Sequence, residues 1–379
     1  MKHYHYIFAG AGLSSLMTVY KMAVSGQFKD KRILLLDASL KQSNDRTWCF
    51  WQAGAGEWDG IAYKTWTTAL FANEAFSKKL DFGGYQYKMI RGIDFYNHVF
   101  KELARHNNIQ FINQKVTDFA DLGQHVLVTT ETESYTGNKL FNSIYNSTLP
   151  ASQTKYPVLR QHFIGWHVKV QEQVFDPDTP VFMDFSVPQK GNTRFMYVLP
   201  FSKTEAIAEY TLFSKDLLPE AEYELAIKDY LSGKGVTHYT VADTERGSIP
   251  MTSYPFWRHN SRNILNIGSA GGWTKASTGY TFRNSDKLSQ KLISFLLTGA
   301  DFTRFHKKNK FWWYDLLLLD ILAKKNHKGS TIFSAMFKNG KAAPVFKFLD
   351  EETSLAEDLR VIGRCPKGLF IKAMIRRLF

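Results

Sequence analysis

Glycines and small polar residues are spaced through Gly10–Ser15 as they are in turns that hold a dinucleotide. Gly10 permits a tight turn after a strand, and Gly12 lets the backbone approach a pyrophosphate because it has no Cβ in the way. Ser15 takes the third small position, where a helix must pack closely against the strand. We therefore expect phosphate binding at this turn; the alternative is a glycine turn in an ordinary α/β domain.

The elements around this turn have the order of a strand–helix–strand unit. An apolar strand over Tyr6–Ala9 precedes the turn, a helix over about Leu13–Ser25 follows it, and a second strand over Ile33–Leu36 ends on Asp37. The first N–H groups of the helix point toward the phosphates, and Asp37 is placed to bind a ribose with a free 2′-hydroxyl. The predicted cofactor contacts are Gly10, Gly12, Leu13, Ser14, Ser15 and Asp37.

A second glycine-rich turn follows another apolar strand, Ile264–Gly268, and precedes a helix over Ser285–Thr298. Two such units in one chain favour FAD over a diffusible nicotinamide, because the first turn takes the ADP pyrophosphate and the second reaches the ribitol and the flavin ring. Many related flavoproteins have an aspartate in the second turn, whereas this chain has Ser269, so backbone groups must serve there. The expected contacts are Gly268, Ser269, Gly271, Thr278 and Gly279.

The composition is that of a globular protein. The chain has 379 residues, of which 44% are hydrophobic and 22% are charged, and this length exceeds what a single core usually organises. Cys49 and Cys365 are too few for a disulfide framework or a metal cluster, which predicts a reducing compartment and no bound metal. We expect neither a signal peptide nor a spanning helix, since no stretch approaches the roughly 18 apolar residues that a span needs.

The chain is basic, with a formal net charge of +13. This balance suits nucleic acid or an anionic membrane surface, but we find no nucleic-acid motif and expect no such partner. Basic residues alternate with large apolar ones in Lys307–Lys325 and Gly368–Phe379, the make-up of helices that lie on membranes. For the first segment a buried helix with charged ends is an equal alternative, and for the second we expect membrane contact.

The order of predicted elements indicates an α/β fold. A Rossmann-like, doubly wound FAD-binding domain carries an inserted mixed β-sheet domain and ends in a helical region. The Trp- and Gly-rich stretch Asn44–Gly60 is predicted as a loop. The expected divisions are 1–90 for the first FAD-binding unit and a loop near the flavin, 91–155 for the rest of the nucleotide-binding region, 156–255 for the β-rich substrate domain, 256–300 for the second FAD-binding turn and helix, and 301–379 for the helical region.

Seven stretches form an ordered set that spans most of the chain. They are NDRTWCFW (44–51), RQHFIGWHV (160–168), VFMDF (181–185), RFMYVLPFS (194–202), AIAEYTLFS (206–214), ERGSIPM (245–251) and GSAGGWTKASTGYTF (268–282). Together they resemble the bacterial and plant lycopene β-cyclases, flavoproteins that close the ends of acyclic carotenoids. Each stretch alone is modest evidence, and the ordered set is specific.

The resemblance implies a cyclisation without net redox change, in the class of intramolecular lyases and isomerases. In that family an end of lycopene is protonated, the carbocation closes to a six-membered ring, and proton loss leaves a β-ionone ring, so that two closures give β-carotene through γ-carotene. FAD serves in its reduced form, and NAD(P)H keeps it reduced. Lycopene and other ψ-end carotenoids are insoluble, which implies a peripheral enzyme on the cytoplasmic face of the cell membrane.

Glu209 is the residue for which we predict the catalytic acid–base role. It lies at the position of the family's acidic motif, and an acid inside an apolar strand is costly unless it is paired or functional. The alternative is an outward-facing strand residue, since Glu205 has the same strand parity. Asp184 is predicted to line the site and Glu245 to brace its floor, both as members of the catalytic set, and Arg46 is predicted to contact the flavin or a phosphate.

A second acidic segment, FLDEETSL (348–355), matches the FLEET string of the plant enzymes better than the surroundings of Glu209 do. It follows the second glycine turn, whereas the family's acidic motif precedes it. Glu351 and Glu352 are therefore expected to be structural or surface residues in the first turn of a helix.

Two other interpretations stay open. A FAD-dependent monooxygenase or isoprenoid reductase of the same superfamily would consume NAD(P)H with each product, and a cyclase would not. A flavin- or lipid-binding protein without enzymatic activity is disfavoured by the ordered motifs and by the acid in an apolar strand.

Overall fold

The computed structural model describes residues 2–378. The strands are β1 (Lys2–Ala9), β2 (Ile33–Asp37), β3 (Thr47–Ala53), β4 (Lys64–Trp66), β5 (Thr68–Asn73), β6 (Phe76–Asp81), β7 (Tyr85–Arg91), β8 (Ile109–Asn113), β9 (Val116–Asp121), β10 (Val126–Thr130), β11 (Ser134–Asn142), β12 (Leu159–Val170), β13 (Val181–Asp184), β14 (Thr193–Pro200), β15 (Glu205–Ser214), β16 (Tyr239–Met251) and β17 (Ile264–Asn266). The α-helices are α1 (Leu13–Ser25), α2 (Gly92–Leu103), α3 (Thr148–Ala151), α4 (Glu220–Gly233), α5 (Phe282–Leu296), α6 (Lys310–Lys325), α7 (Gly329–Lys338), α8 (Ala343–Leu349), α9 (Leu355–Ile362) and α10 (Lys367–Leu378).

The first sheet is the doubly wound one that the sequence predicts. β1 lies between β2 and β11, β8 flanks β2, and all of these pairs are parallel. The outer side of β11 is shared, because its first half pairs antiparallel with β10 and its last three residues pair parallel with β17. The carboxyl ends of β1, β11 and β17 therefore meet at one edge, which is where open α/β sheets bind ligands.

Helices α1 and α5 pack side by side above this edge through small hydroxyl residues. Ser14 contacts Ser285 at 2.7 Å between Oγ atoms, and Thr18 contacts Ser289 at 2.9 Å. The chain turns at the end of α1 because Gly26 adopts a left-handed conformation with φ of 67°, which glycine reaches without steric cost. The hydroxyl pairs hold the two helices parallel and bring their N-termini together.

The second sheet has the order β16-β12-β15-β14-β13-β5-β6. On β15, Ala208 and Tyr210 are buried against Tyr223 and Ile227 of α4, and the alternate residues face the opposite side of the sheet. β13 pairs parallel with β5, so the second sheet also takes strands from residues 68–81, ahead of the predicted insertion.

The expectation of a loop over Asn44–Gly60 is wrong at its centre, where Thr47–Ala53 forms β3 and pairs antiparallel with β7. Phe50 stacks on Phe282 with ring centroids 4.4 Å apart, and Trp51 stacks on Phe346 at 5.1 Å. Successive residues are therefore buried on both faces, and a strand buried in this way lacks the polar alternation by which a strand is recognised.

The C-terminal region is helical, as predicted. α6 is largely buried, with Leu316, Leu319 and Leu322 each at most 2% exposed, so Lys307–Lys325 forms a core helix rather than a membrane-lying one. α10 differs, because Ala373 is its buried residue and several of its large apolar side chains are exposed. Within residues 2–378, no helix combines the length and apolar character that crossing a membrane requires.

Candidate active site

A cavity of about 490 Å³ lies where the two large sheets and the C-terminal helices meet. Gly12 and Leu13 of the first turn line one end, together with Ser269, Thr278 and Gly279 around the second turn. β12, β14, β15 and β16 line the rest. Both predicted cofactor turns therefore open into one space that continues along the second sheet.

The first turn has room for a phosphate. Gly10 has φ of +89°, and a Cβ there would collide with the hydroxyl of Ser143. A Cβ built on Gly12 meets no atom within 4 Å, so the turn is open on the cavity side. The carboxylate of Asp37 accepts hydrogen bonds from the N–H groups of Ala11 at 2.6 Å and Ser39 at 2.7 Å, which places this acid directly beside the turn.

The side chains of the two serines of the turn, Ser14 and Ser15, pack inside the protein. The Ser14 hydroxyl is occupied by Ser285 of α5, which leaves its backbone for a ligand. Ser15 is fully buried, and its hydroxyl has no hydrogen-bond partner among the described residues. The sequence identified the turn correctly but could not show that the first hydroxyl serves helix packing.

The second turn is shaped by two glycines. Gly268 has φ of +59°, and a Cβ there would lie 3.1 Å from Ser14 Oγ, so it allows the two turns to touch. A Cβ on Gly271 would collide with the backbone of β17. Neither glycine is among the residues lining the cavity, whereas Ser269 is.

Two buried polar atoms without partners mark the place where the cofactor ring would bind. Thr278 Oγ1 and Gln161 Oε1 are buried, lack a hydrogen-bond partner among the described residues, and belong to residues that line the cavity. Gly279 lies between them with φ of +73°, and a Cβ there would collide with Gln161. Buried polar groups are normally satisfied, so this set fits the polar edge and ribityl hydroxyls of a flavin.

Arg46 is exposed and lines the cavity at its outer side. Its guanidinium donates to the backbone carbonyl of Asp45 at 2.7 Å. The remaining donors of its planar fork are available to an anionic oxygen.

Glu209 faces the cavity from β15. It is paired with Tyr197 on β14 and with Gly165 on β12, and Thr211 donates its hydroxyl to the carboxyl group. Burial, with a smaller contribution from the charge of Glu245, raises the pKa of Glu209 to about 8, against the lowering effect of Thr211. The face that Glu209 shares with Glu205 is thus covered by protein at this position, and the carboxyl group is protonated at neutral pH.

Glu245 lies on β16, where Gly165 is its partner from the other side. The backbone N–H of Thr47 donates to its carboxylate at 3.0 Å. Burial raises the pKa of Glu245, whereas the hydrogen bond from Thr47 and the charge of Arg46 oppose that rise. Glu209 and Glu245, which the sequence predicts as site residues, therefore face the same cavity.

A cluster of phenols beside Glu209 was not found from the sequence. Tyr87 lies 2.5 Å from Tyr197 and 3.2 Å from Tyr280 between hydroxyl oxygens. The Cys49 thiol bonds to Tyr87 and Tyr197, and burial raises its pKa to about 12. These residues come from β3, β7, β14 and the segment after the second turn, so only the strand pairing brings them together.

Asp184 does not line the cavity, and the prediction that it does is wrong. Phe182 and Met183 line it, and the side chain of Asp184 is held by partners elsewhere. The Asp184 carboxylate accepts from the N–H of Ser186 at 2.9 Å and from the hydroxyl of Tyr230 at 3.0 Å. It fastens α4 to the sheet.

The second acidic segment lies between α8 and α9 rather than in the first turn of a helix. Glu351 accepts from Lys275 at 3.1 Å, and Lys275 also binds Asp315 at 3.0 Å. Glu352 lies 3.5 Å from Lys287. Neither glutamate lines the main cavity, and both take part in ion pairs.

Comparisons with known proteins agree with this geometry. The lycopene cyclase protein family matches residues 6–377. The lycopene β-cyclase of Pantoea ananas is 24% identical over 296 residues, which cover 74% of this chain and 71% of that protein.

Solved structures share the fold at low identity. A flavoprotein/dehydrogenase from Cytophaga hutchinsonii superposes with a TM-score of 0.62 at 12% identity, with 99% of each chain covered. A geranylgeranyl bacteriochlorophyll reductase-like protein from Thermoplasma acidophilum has a TM-score of 0.60 at 10% identity, with 98% of each chain covered. These likenesses establish the fold alone. Because the family match includes both glycine turns and the strands that carry Glu209 and Glu245, the chain belongs to the lycopene cyclase protein family.

Proposed function

We propose that this protein is a lycopene β-cyclase, an FAD-dependent intramolecular lyase that closes the ψ-ends of lycopene to β-ionone rings. The observation that carries the proposal is the carboxyl group of Glu209, which lies in a cavity that both cofactor turns border and has no cationic partner among residues 2–378. A protonated carboxyl group in such a place is suited to donate a proton to carbon.

The chemistry starts at the terminal double bond of the substrate. The Glu209 carboxyl transfers its proton there, the cation is attacked by the neighbouring double bond, and loss of a proton from the new ring restores neutrality. No electron enters or leaves the substrate. Closure at one end gives γ-carotene, and closure at both ends gives β-carotene.

The cavity wall protects the cation from water. Apolar walls exclude water from the reacting carbon, and aromatic faces attract positive charge. The aromatic residues that line the cavity include Phe163, Phe182, Phe195, Phe213 and Phe333.

FAD fits the end of the cavity at the two glycine turns. The N–H groups at the start of α1 would hold its pyrophosphate, Asp37 its ribose, and Thr278 and Gln161 the ring and ribityl groups. In its reduced form the flavin supplies a negative charge near the cation, with NAD(P)H as the source of electrons.

We also propose that α10 rests on the membrane that holds the substrate, which would place the enzyme as a peripheral protein on the cytoplasmic face. Ile371, Met374, Ile375 and Leu378 are between 40% and 65% exposed, and Lys372 and Arg376 line a groove beside Ile375. Exposed apolar residues next to basic ones are typical of helices that bind anionic bilayers.

A vesicle flotation assay tests this contact. The variant Ile371→Ser/Ile375→Ser should release most of the protein from vesicles that contain phosphatidylserine. Leu225→Ser, which changes an exposed apolar residue of α4, is the matched control. Equal binding by both variants and the unchanged protein would contradict the contact.

Expression in cells that accumulate lycopene tests the activity. Pigment chromatography should show β-carotene with the unchanged chain and lycopene alone with Glu209→Gln. Bound flavin, measured by absorbance, should be equal in the two. Unchanged lycopene from a flavin-loaded, soluble, unmodified protein would overturn the proposal.

The second candidate is a reductase or monooxygenase, which the fold shared with a reductase-like protein favours. It is distinguished by stoichiometry. Such an enzyme consumes one NAD(P)H for every product molecule, whereas the cyclase turns over many substrates once its flavin is reduced.

A further inference from the structure

Glu209 and Glu245 stand on either side of a glycine in the middle of the second sheet. Gly165 on β12 is opposite Glu209 on β15 and opposite Glu245 on β16. Residues directly opposite one another in a sheet share a face. Neighbouring strands are about 4.8 Å apart, so the Cα atoms of the two glutamates are roughly 10 Å apart, and the residue between them has no side chain.

Any residue other than glycine at position 165 would place a side chain between the two glutamates. A Cβ built on Gly165 lies 3.3 Å from Glu209 Cβ and 3.4 Å from its Cγ. Glycine inside a strand weakens it and often marks the close approach of a ligand. φ at Gly165 is not positive, so its backbone does not require glycine.

Burial raises the pKa of both carboxyl groups, but their other surroundings differ. Glu209 receives a hydroxyl from Thr211 and lies beside the phenol of Tyr197. Glu245 receives a backbone N–H from Thr47 and the field of Arg46. A backbone donor and a nearby cation favour the ionised form, whereas enclosure without a cation favours the neutral form. Two carboxyl groups held apart in this way are suited to serve as acid and base.

We propose that Glu245 is the base that completes the cyclisation which Glu209 starts, and that Gly165, which packs against the Glu209 side chain, is a positioning residue for that carboxyl group. This proposal rests on the function proposed above. It assigns the second proton transfer, which that function leaves open, to a separate residue.

The step balances in protons and electrons. Glu209 gives its proton to the terminal double bond, whose electron pair forms the new C–H bond. The neighbouring double bond supplies the pair for the ring C–C bond. A C–H bond of the ring then breaks, its electrons form the ring double bond, and the proton passes to the Glu245 carboxylate. One proton has entered and one has left, and exchange with solvent or between the two carboxyl groups restores the starting state.

Glutamine variants assayed in D₂O separate the two roles. With Glu209→Gln, no ring should form, and recovered lycopene should carry no deuterium because protonation does not occur. With Glu245→Gln, ring formation should slow by about 10²-fold or more. Recovered lycopene should nevertheless carry some deuterium near its terminus, because the carbon that received the deuteron also holds a hydrogen, and loss of that hydrogen restores the double bond with the label in place. Rings that do form should include isomers with the double bond at another position.

The outcomes distinguish this inference from the proposed function. If the unchanged protein forms no ring, the function itself is wrong. If it forms rings and Glu245→Gln forms β-rings at the normal rate, Glu245 is not the final base. Bound flavin and the melting temperature report whether either variant has lost its fold.

Substitution at Gly165 tests whether the missing side chain is needed to position Glu209. Gly165→Ala requires Glu209 to yield by a few tenths of an ångström, and we expect about a tenfold loss of rate with flavin bound. Gly165→Val should abolish cyclisation. Gly233→Ala, where the added Cβ meets nothing within 4 Å, is the control and should be unaffected. A fully active Gly165→Val variant would show that Gly165 does not position Glu209.

Discussion

Two half-buried glutamates in this molecule, Glu209 and Glu351, have opposite electrostatic surroundings. Glu351 lies against the ammonium of Lys275, and although burial opposes its ionisation, Lys275 and Asn309 hold the pKa of Glu351 below its ordinary value. Glu209 has no cation beside it among the described residues, and burial raises its pKa to about 8. A buried acid that is paired serves the fold, and one that is left unpaired is available for chemistry.

The largest expected effect is on activity, which should be lost with Glu209 and kept with Glu351. Glu209→Gln should lower cyclisation by about 10³-fold or more, since general acid catalysis typically contributes 10²–10⁴. Glu351→Gln should keep most of the activity, because its side chain does not line the cavity. Product formation from lycopene in membranes measures both. Loss of activity in the second variant with a normal melting temperature would reverse the comparison.

The next effect is on stability. Lys275→Met leaves Asp315 and Glu351 buried without their cation, and breaking a buried pair from one side typically costs about 3–5 kcal/mol. Urea denaturation at neutral pH measures the loss. Lys115→Met is the matched control, because its partner Glu131 is 58% exposed and the loss should be below about 1 kcal/mol. Equal losses would show that burial does not matter here.

The two glutamates should also respond to pH with opposite signs. The folded-state pKa of Glu209 is raised, so its contribution to the free energy of unfolding is present below about pH 4 and is lost as the pH rises through about 8. The folded-state pKa of Glu351 is lowered, so its contribution is present above its unfolded pKa and is lost as the pH falls. Denaturation of each Gln variant and of the unchanged protein from about pH 3 to 9 should show the Glu209 variant gaining relative stability as the pH rises and the Glu351 variant gaining it as the pH falls below about 4.

The smallest expected effect tests whether the phenols beside Glu209 take part in the reaction. Tyr87→Phe removes the hydroxyl that contacts Tyr197 and Tyr280, which should cost about 1–3 kcal/mol of stability. Cyclisation should fall only a few-fold, because the acid itself remains. Kinetic constants and melting temperature are the measurements, and a loss as large as that of Glu209→Gln would place the phenols in the proton transfer itself.

The sequence predicted what depends on local spacing. Both glycine turns, their helices and the acid in an apolar strand follow from neighbouring residues. Asp184 was misplaced because parity along β13 cannot be counted through its irregular pairing with β14. The phenol cluster and the position of Gly165 depend on which strands pair, which local patterns do not contain. The division of the chain into five segments stays a prediction.

The parallel packing of α1 and α5 has an electrostatic consequence. Both helices begin at the cavity, at Leu13 and Phe282, so the positive ends of two helix dipoles, each equivalent to roughly half an elementary charge, add at the same point. That end of the cavity attracts an anion and repels a cation. The molecule is thereby given a polarity along a single cavity, because an anionic group such as a reduced flavin would be stabilised at the end where the two helices begin.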